Sequence, residues 1–151
     1  MKECASWADC LVNDYANYGQ SDVWKAKSLR EIALHRIAFL SAVNLTGSNA
    51  DFFFENYYTS LLEIFHAFLL IKGVKVENHI CVGYYIRDVL KREGWFDDFD
   101  NFRKKRNQQI YYGKRMNAET ALLTVERCKI LTKEVNEWVE HEIGQMENKL
   151  N

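Results

Sequence analysis

A chain of 151 residues, 48% hydrophobic and 27% charged with a formal net charge of −1, has the composition of one soluble globular domain. This charge balance excludes a protein that coats nucleic acid through its overall field, so any anion site must be local. The sequence has no CxxC pair, no basic-then-apolar leader and no clean apolar run of membrane-spanning length. It therefore predicts a cytoplasmic protein without membrane association, whose four cysteines are reduced and mostly buried.

The first two predicted elements are helices. The chain has no proline and only seven glycines, so the usual turn signals of β-sandwiches and barrels are missing. Residues 3–17 have the spacing of a short amphipathic helix, and Gly19 follows as its stop. A second helix is predicted over 22–45, with Ser21 or Asp22 as its cap.

The middle of the chain predicts a buried helix and a shorter one. Residues 46–51 read TGSNAD, the clearest loop in the sequence. Segment 51–72 is apolar nearly all round, which is typical of a central buried helix, and Gly73 ends it. Asn78 can cap a fourth helix over 79–92.

Two further helices complete the prediction. The fifth covers 97–112 and ends at Gly113, and a long sixth helix runs over 117–143. The sequence thus predicts an all-α protein, an antiparallel bundle of five to six helices with a four-helix up-and-down core. Residues 1–20 are interpreted as an N-terminal helical extension and 21–151 as the bundle.

The fifth predicted helix places an arginine in an apolar stripe. Phe99, Phe102, Arg106 and Ile110 are spaced by three, four and four residues, so they share one face. A guanidinium cannot be neutralised, and burying it requires acceptors from a carboxylate, from carbonyls or from a bound phosphate. Spacing alone leaves open whether Arg106 pairs with a neighbouring acid or binds an anion.

The same helix carries a basic cluster near its end. Asn107 with Tyr111, and Gln108 with Tyr112, lie four residues apart and place amides beside phenols around the arginine. Cations at a helix C-terminus are favoured by the helix dipole, which explains part of the pattern. Six cations and no acid occur between residues 103 and 115: Arg103, Lys104, Lys105, Arg106, Lys114 and Arg115.

Two motifs resemble the HEPN family, a family of small helical-bundle domains. ENYYTSLLEIFHAFLLIKGVKVENH (55–79) is similar to the family's Tyr-rich central helix, its Lys-Gly turn and the histidine that opens the next helix. RNQQIYYG (106–113) resembles the Arg-Asn start of the family's R-x(4–6)-H motif. The resemblance covers residues 28–143, about three quarters of the chain.

The resemblance implies a function as well as a fold. Many HEPN proteins are metal-independent endoribonucleases of toxin–antitoxin or defence systems, and they commonly dimerise so that both motifs line one cleft. A small nucleotidyltransferase often serves as the antitoxin. In the family mechanism the arginine, here Arg106, steadies the phosphate, and a histidine assists attack of the ribose 2′-hydroxyl. Asn107 takes the family's asparagine position.

The chain departs from the motif at its histidine. Tyr111 and Tyr112 occupy the window where the family has histidine. A tyrosine is a far weaker general base than an imidazole at neutral pH, although it can donate a hydrogen bond to phosphate or stack on a base. The departure weakens the nuclease prediction more than the prediction of RNA or nucleotide binding.

The other histidines predict no metal or cofactor site. Glu63 and His66 have the spacing of a di-iron ligand pair, but the second pair that such a site needs is missing from the sequence. His66 is interpreted as a core histidine, with a role in the cleft as the alternative. His79, at a predicted helix start, is interpreted as a cap or packing residue.

Two functions of different class are therefore predicted. The first is an HEPN-like homodimer that binds RNA or a nucleotide through a basic cleft, with catalysis weakened or lost. The alternative is a metal-independent endoribonuclease inhibited by a nucleotidyltransferase antitoxin. The predicted catalytic residues are Arg106, Tyr111 and Tyr112, and the predicted binding residues are Arg103, Lys104, Arg106, Asn107 and Lys114.

Overall fold

The computed structural model describes residues 2–150, and within that range the chain forms six α-helices and two short β-strands. The prediction of an all-α helical bundle is confirmed. None of the described helices combines the length and the apolar content that crossing a bilayer requires. In chain order the elements are α1 (Trp7–Val12), β1 (Ala16–Tyr18), α2 (Val23–Ser41), α3 (Ala50–Ile71), β2 (Val74–Val76), α4 (His79–Asp88), α5 (Glu93–Tyr112) and α6 (Ala118–Leu150).

The central helix is α3, as its nearly continuous apolar sequence predicts. It packs mainly against α2 and α6, and buried residues occur in every one of its turns. Phe54 meets Phe102 of α5 with ring centroids 6.0 Å apart, and Phe68 meets Trp138 of α6 at 4.1 Å. Large aromatic side chains thus join three helices into one core.

Several helix ends follow the predicted caps. The Asp22 side chain accepts a hydrogen bond from the backbone N–H of Lys25 at 2.9 Å at the start of α2. The Asn78 side chain accepts one from the N–H of Cys81 at 3.0 Å at the start of α4. Gly113 adopts the left-handed conformation at the end of α5, with φ 60°. These ends are local events, so the sequence is enough to find them.

Other boundaries differ from the prediction because tertiary contacts set them. Helix α5 begins at Glu93 rather than at residue 97, and α6 continues to Leu150 rather than ending near 143. The extra turn of α5 carries Trp95, whose ring packs 6.3 Å from that of Phe65 and 5.5 Å from that of Trp138. These aromatic contacts with α3 and α6 stabilise a turn that propensity alone does not indicate.

The two strands were not predicted, and the helix predicted over 3–17 is shorter than expected. Ala16–Tyr18 pairs antiparallel with Val74–Val76. Beyond the strand end, the N–H of Gly19 donates to the carbonyl of Gly73 at 2.6 Å, and Gly73 has a positive φ of 71°. A three-residue strand has no visible periodicity, and its partner lies far along the chain, so the sequence pattern does not reveal it.

A disulfide joins the N-terminal segment to the bundle. Cys10 of α1 and Cys81 of α4 are bonded across a sequence separation of 71, so the prediction of reduced thiols is wrong for this pair. Cys4 and Cys128 are free. The backbone N–H of Trp7 also donates to the Asp88 carboxylate at 2.8 Å. The described part of the predicted extension is therefore attached to α4 by covalent and polar contacts.

Candidate functional site

A cavity of about 520 Å³ lies between the start of α4 and the second half of α5. The residues that line the cavity come from two segments, which lie side by side because α4 packs against α5. Helix α5 contributes Arg103, Arg106, Asn107 and Tyr111. The corner between β2 and α4 contributes Glu77, Asn78, His79 and Ile80.

Arg106 is the cation of this cavity whose guanidinium has no hydrogen-bond or ion-pair partner among residues 2–150. Phe99 and Phe102, which share its helix face, are fully buried, and they hold this face of α5 against the core. The Nε atom of Arg106 is buried without a hydrogen-bond partner, and no carboxylate of residues 2–150 lies within ion-pairing distance. Its guanidinium carbon lies 5.8 Å from the centre of the Tyr58 ring. The internal ion pair that spacing left open is thus absent from the described residues.

Arg103, by contrast, is paired. Its Nε and a terminal nitrogen donate to the Asp100 carboxylate at 3.0 and 2.8 Å, and Lys104 reaches the same carboxylate at 3.0 Å. Burial by itself raises the pKa of Asp100, but the hydrogen bonds from Arg103 and Lys104 outweigh it and hold that pKa below its ordinary value. Arg103 lines the cavity with much of its charge already compensated.

His79 is the site residue that the sequence interpretation missed. Its Nδ1 lies 3.2 Å from the hydroxyl of Tyr58, a fully buried residue of α3. Burial lowers the pKa of His79 to about 4, and the positive charges of Arg106, His66 and Arg103 add to the effect. The imidazole is therefore neutral at pH 7, and its tautomer sets the direction of this hydrogen bond: either the Tyr58 hydroxyl donates to Nδ1 and Nε2 carries the proton, or Nδ1 donates to the phenol oxygen and Nε2 carries a lone pair.

Little in the sequence pointed to His79. We interpreted it as a cap or packing residue, but the cap is the Asn78 side chain and His79 lines the cavity. Two signals were available: the resemblance includes a histidine that opens this helix, and His79 directly follows a strong N-cap, where a first-turn side chain can face a neighbouring helix. His66, the alternative cleft histidine, does not line the cavity, and burial lowers its pKa.

The remaining predicted residues divide into two groups. Asn107 and Tyr111 line the cavity, and the Tyr111 side chain is 70% exposed, so its ring is open to a ligand. Lys104, Tyr112 and Lys114 are exposed and do not line it. The structure thus brings together four of the predicted residues and adds a histidine.

Glu63, the carboxylate of the Glu63 and His66 pair, is bound by an arginine. The Glu63 carboxylate accepts two hydrogen bonds from the Arg36 guanidinium of α2, at 2.5 and 3.1 Å. A carboxylate held in this bidentate way is committed to joining α2 and α3.

The charge of the cavity favours a single anionic group near Arg106. The neutral His79 adds no charge at pH 7, Arg103 is compensated by Asp100, and the exposed Glu77 contributes a negative charge at the rim. One unpaired guanidinium, one neutral imidazole, an amide and an exposed phenol remain to meet a ligand. No family model, curated protein or solved structure matches the chain.

Proposed function

We propose that this cavity binds the phosphate group of RNA or of a nucleotide, with Arg106 as the principal contact. The observation that carries the proposal is that Arg106 lines an open cavity while no group of residues 2–150 pairs with its guanidinium, whose Nε is buried. A buried donor on a permanently charged group is costly when it is left unpaired, and a phosphate supplies oxygens for a bidentate contact.

The rest of the cavity suits a nucleotide. Its volume of about 520 Å³ is in the range of small-ligand sites. Tyr111 offers an exposed aromatic face on which a base can stack, and Asn107 offers both a donor and an acceptor. Recognition would therefore combine one phosphate contact with stacking, a mode that tolerates many sequences.

The resemblance to HEPN proteins supports the same proposal and extends it to partners. RNQQIYYG forms the end of α5, and the histidine that opens α4 lines the same cavity. Ile110, Tyr111 and Tyr112 are 42%, 70% and 79% exposed at this helix end, an apolar and aromatic surface that a second copy of the chain could cover. A homodimer and a nucleotidyltransferase antitoxin belong to the proposal through the resemblance.

A metal-independent endoribonuclease is the second candidate, and His79 is the observation that favours it. In the tautomer whose Nε2 is unprotonated, His79 can accept a proton from a ribose 2′-hydroxyl while Arg106 stabilises the charge on phosphorus oxygens. A base with a pKa of about 4 is weak. A bound phosphate offsets the positive charge of Arg106, so it raises the pKa of His79 toward neutral pH and strengthens the base in the complex.

RNA binding by matched variants tests the first proposal. A fluorescent single-stranded RNA is titrated with the full chain, with Arg106→Met and with Arg115→Met, each in EDTA and at several salt concentrations. Arg115 is a cation of the same cluster that lies outside the cavity and pairs with Asp51. We expect Arg106→Met to weaken binding roughly 10-fold or more, the value of a charged hydrogen bond, and Arg115→Met to change it little. Equal effects of the two changes would refute a specific role for Arg106.

The same samples test the second candidate. Cleavage in EDTA that leaves 2′,3′-cyclic phosphate ends, and that is lost in both Arg106→Met and His79→Gln, favours the nuclease. Intact RNA that binds in an Arg106-dependent way favours the binding protein. If the RNA is neither bound nor cleaved, both proposals for the cavity are refuted.

A further inference from the structure

Three sulfur atoms lie close together where the N-terminal segment meets α4. The sulfurs of Cys4, Cys10 and Cys81 all lie within 4.8 Å of one another. Cys10 and Cys81 form the disulfide and are both 0% exposed, whereas Cys4 is a free, partly exposed thiol. A free thiol thus lies against a bonded pair.

Cys4 is also the member of the cluster that solvent can reach. It lines a second cavity of about 370 Å³, together with Lys2, Glu3, Asn78, Ile80 and Arg103. Its carbonyl accepts a hydrogen bond from the Tyr84 hydroxyl at 2.8 Å, and the Asn13 amide lies 3.7 Å from its sulfur. These contacts from α4 and from the end of α1 keep the thiol beside the disulfide.

A dissolved thiol cannot reach the disulfide directly. Thiol–disulfide exchange requires a thiolate to contact one sulfur of the bond, and the rate depends on access. Both bonded cysteines are sealed in the core, so direct attack would need local opening of the segment. Attack by Cys4 needs only a small shift of a side chain already within 4.8 Å.

We infer that Cys4 is the reactive cysteine through which small-molecule thiols exchange with the buried Cys10–Cys81 disulfide. The Cys4 thiolate attacks the Cys10 sulfur, the bond between Cys10 and Cys81 breaks, and Cys81 leaves as a thiolate that takes up the proton lost by Cys4. Cys81 lies in the first turn of α4, where the positive end of the helix dipole faces the negative charge that develops on the leaving sulfur.

The exchange makes the disulfide accessible. A small thiol then attacks the Cys4 sulfur, forms a mixed disulfide on Cys4 and releases Cys10 as a thiol. A second small thiol attacks that mixed disulfide and regenerates Cys4. In sum, one protein disulfide and two small thiols give two protein thiols and one small-molecule disulfide, so electrons and protons balance. This activity is independent of the phosphate proposal, since Arg106 takes no part in it.

Reduction by glutathione tests the inference. The oxidised full chain, Cys4→Ser and Cys128→Ala are incubated with glutathione, quenched with an alkylating agent and mapped by peptide mass spectrometry. Cys128 is the other free cysteine and is fully buried on α6, so its variant is the matched control. Because Cys4 attacks within the same molecule, we expect Cys4→Ser to lose the disulfide roughly 10-fold or more slowly than the wild type and the control.

The disulfides trapped by alkylation provide a second test that does not depend on the rate of reduction. The wild type should yield a Cys4–Cys10 disulfide and glutathione bound to Cys4, and circular dichroism verifies that Cys4→Ser is folded. Wild-type reduction rates in Cys4→Ser would overturn the inference. So would glutathione attached first to Cys10 or Cys81, or a chain in which these two cysteines do not pair under oxidising conditions. A trapped Cys4–Cys81 bond would overturn the assignment of Cys81 as leaving group.

Discussion

Replacing Arg106 by methionine tests whether this arginine binds a ligand or stabilises the fold. The change removes the buried, unpartnered Nε and keeps an unbranched side chain on the apolar face shared with Phe99 and Phe102. Methionine and arginine have similar helix propensities, so α5 itself should be unaffected. If Arg106 serves to bind a phosphate, its guanidinium is unpaired in the ligand-free protein, and removing it should raise the free energy of unfolding.

The size of the gain follows from two opposing contributions. Removing a buried donor without a partner recovers about 1–3 kcal/mol, and the low end applies because Arg106 is only partly buried. The cation–π contact with Tyr58, whose ring centre is 5.8 Å from the guanidinium carbon, contributes about 0.5–1 kcal/mol that is lost. The net gain is up to about 1 kcal/mol, which raises Tm by roughly 2–4 °C in a chain of this length.

Urea unfolding followed by circular dichroism measures the effect, with Arg103→Met as the matched control. Arg103 pairs with Asp100, so its removal leaves a carboxylate with Lys104 alone and should lower the free energy of unfolding by about 1 kcal/mol. Inorganic phosphate should stabilise the wild type but not Arg106→Met. A loss of stability in Arg106→Met equal to that in Arg103→Met would refute the reasoning.

Three further predictions concern the elements that surround the site. Gly73→Ala should lower the free energy of unfolding by more than about 2 kcal/mol in urea, because a side chain at positive φ is strained and its Cβ would collide with a backbone carbonyl. Gly94→Ala, which meets no atom within 4 Å, is the control, and equal losses would contradict the prediction. The pKa of His79 is about 4 in the folded chain against an ordinary 6.5, so the unfolded chain binds more protons between these values. Stability should therefore fall as pH drops from 6.5 to 4, by roughly 1–2 kcal/mol after solvent screening, and His79→Gln should flatten this part of the curve; an unchanged curve would refute the assignment. Replacing both Cys10 and Cys81 by alanine should cost up to roughly 4 kcal/mol in urea unfolding, the chain-entropy value for a separation of 71, and a loss below about 1 kcal/mol would contradict it.

The helical architecture was predictable because its causes are local. A chain without proline, with an apolar segment over most of α3 and polar caps at Asp22 and Asn78, leaves few alternatives to a helical bundle. The arginine in the apolar stripe of α5 was also visible from spacing, since i, i+4 neighbours share a face wherever the helix packs. The position of Arg106 within a cavity was not contained in that pattern.

Contacts between distant segments explain what the sequence pattern missed. The strands β1 and β2, the pairing of Cys10 with Cys81 and the extra turn at Trp95 each depend on a partner on another element. His79 belongs to the same class, since its environment is made by Tyr58 of α3 and by the arginines of α5. The short-range periodicity of the sequence contains no information about these contacts between distant segments.

By itself the amino-acid order determined the fold class, the central helix and the cluster of cations at the end of α5. Tertiary structure decided which of those cations are compensated: Arg103 pairs with Asp100, whereas the described part of the chain offers Arg106 the Tyr58 ring and a cavity but no acid. It also placed the imidazole of His79 beside Tyr58 and joined Cys10 to Cys81. The physical reason is that helix formation depends on neighbours a few residues apart, whereas charge compensation and side-chain access depend on the packing of whole helices.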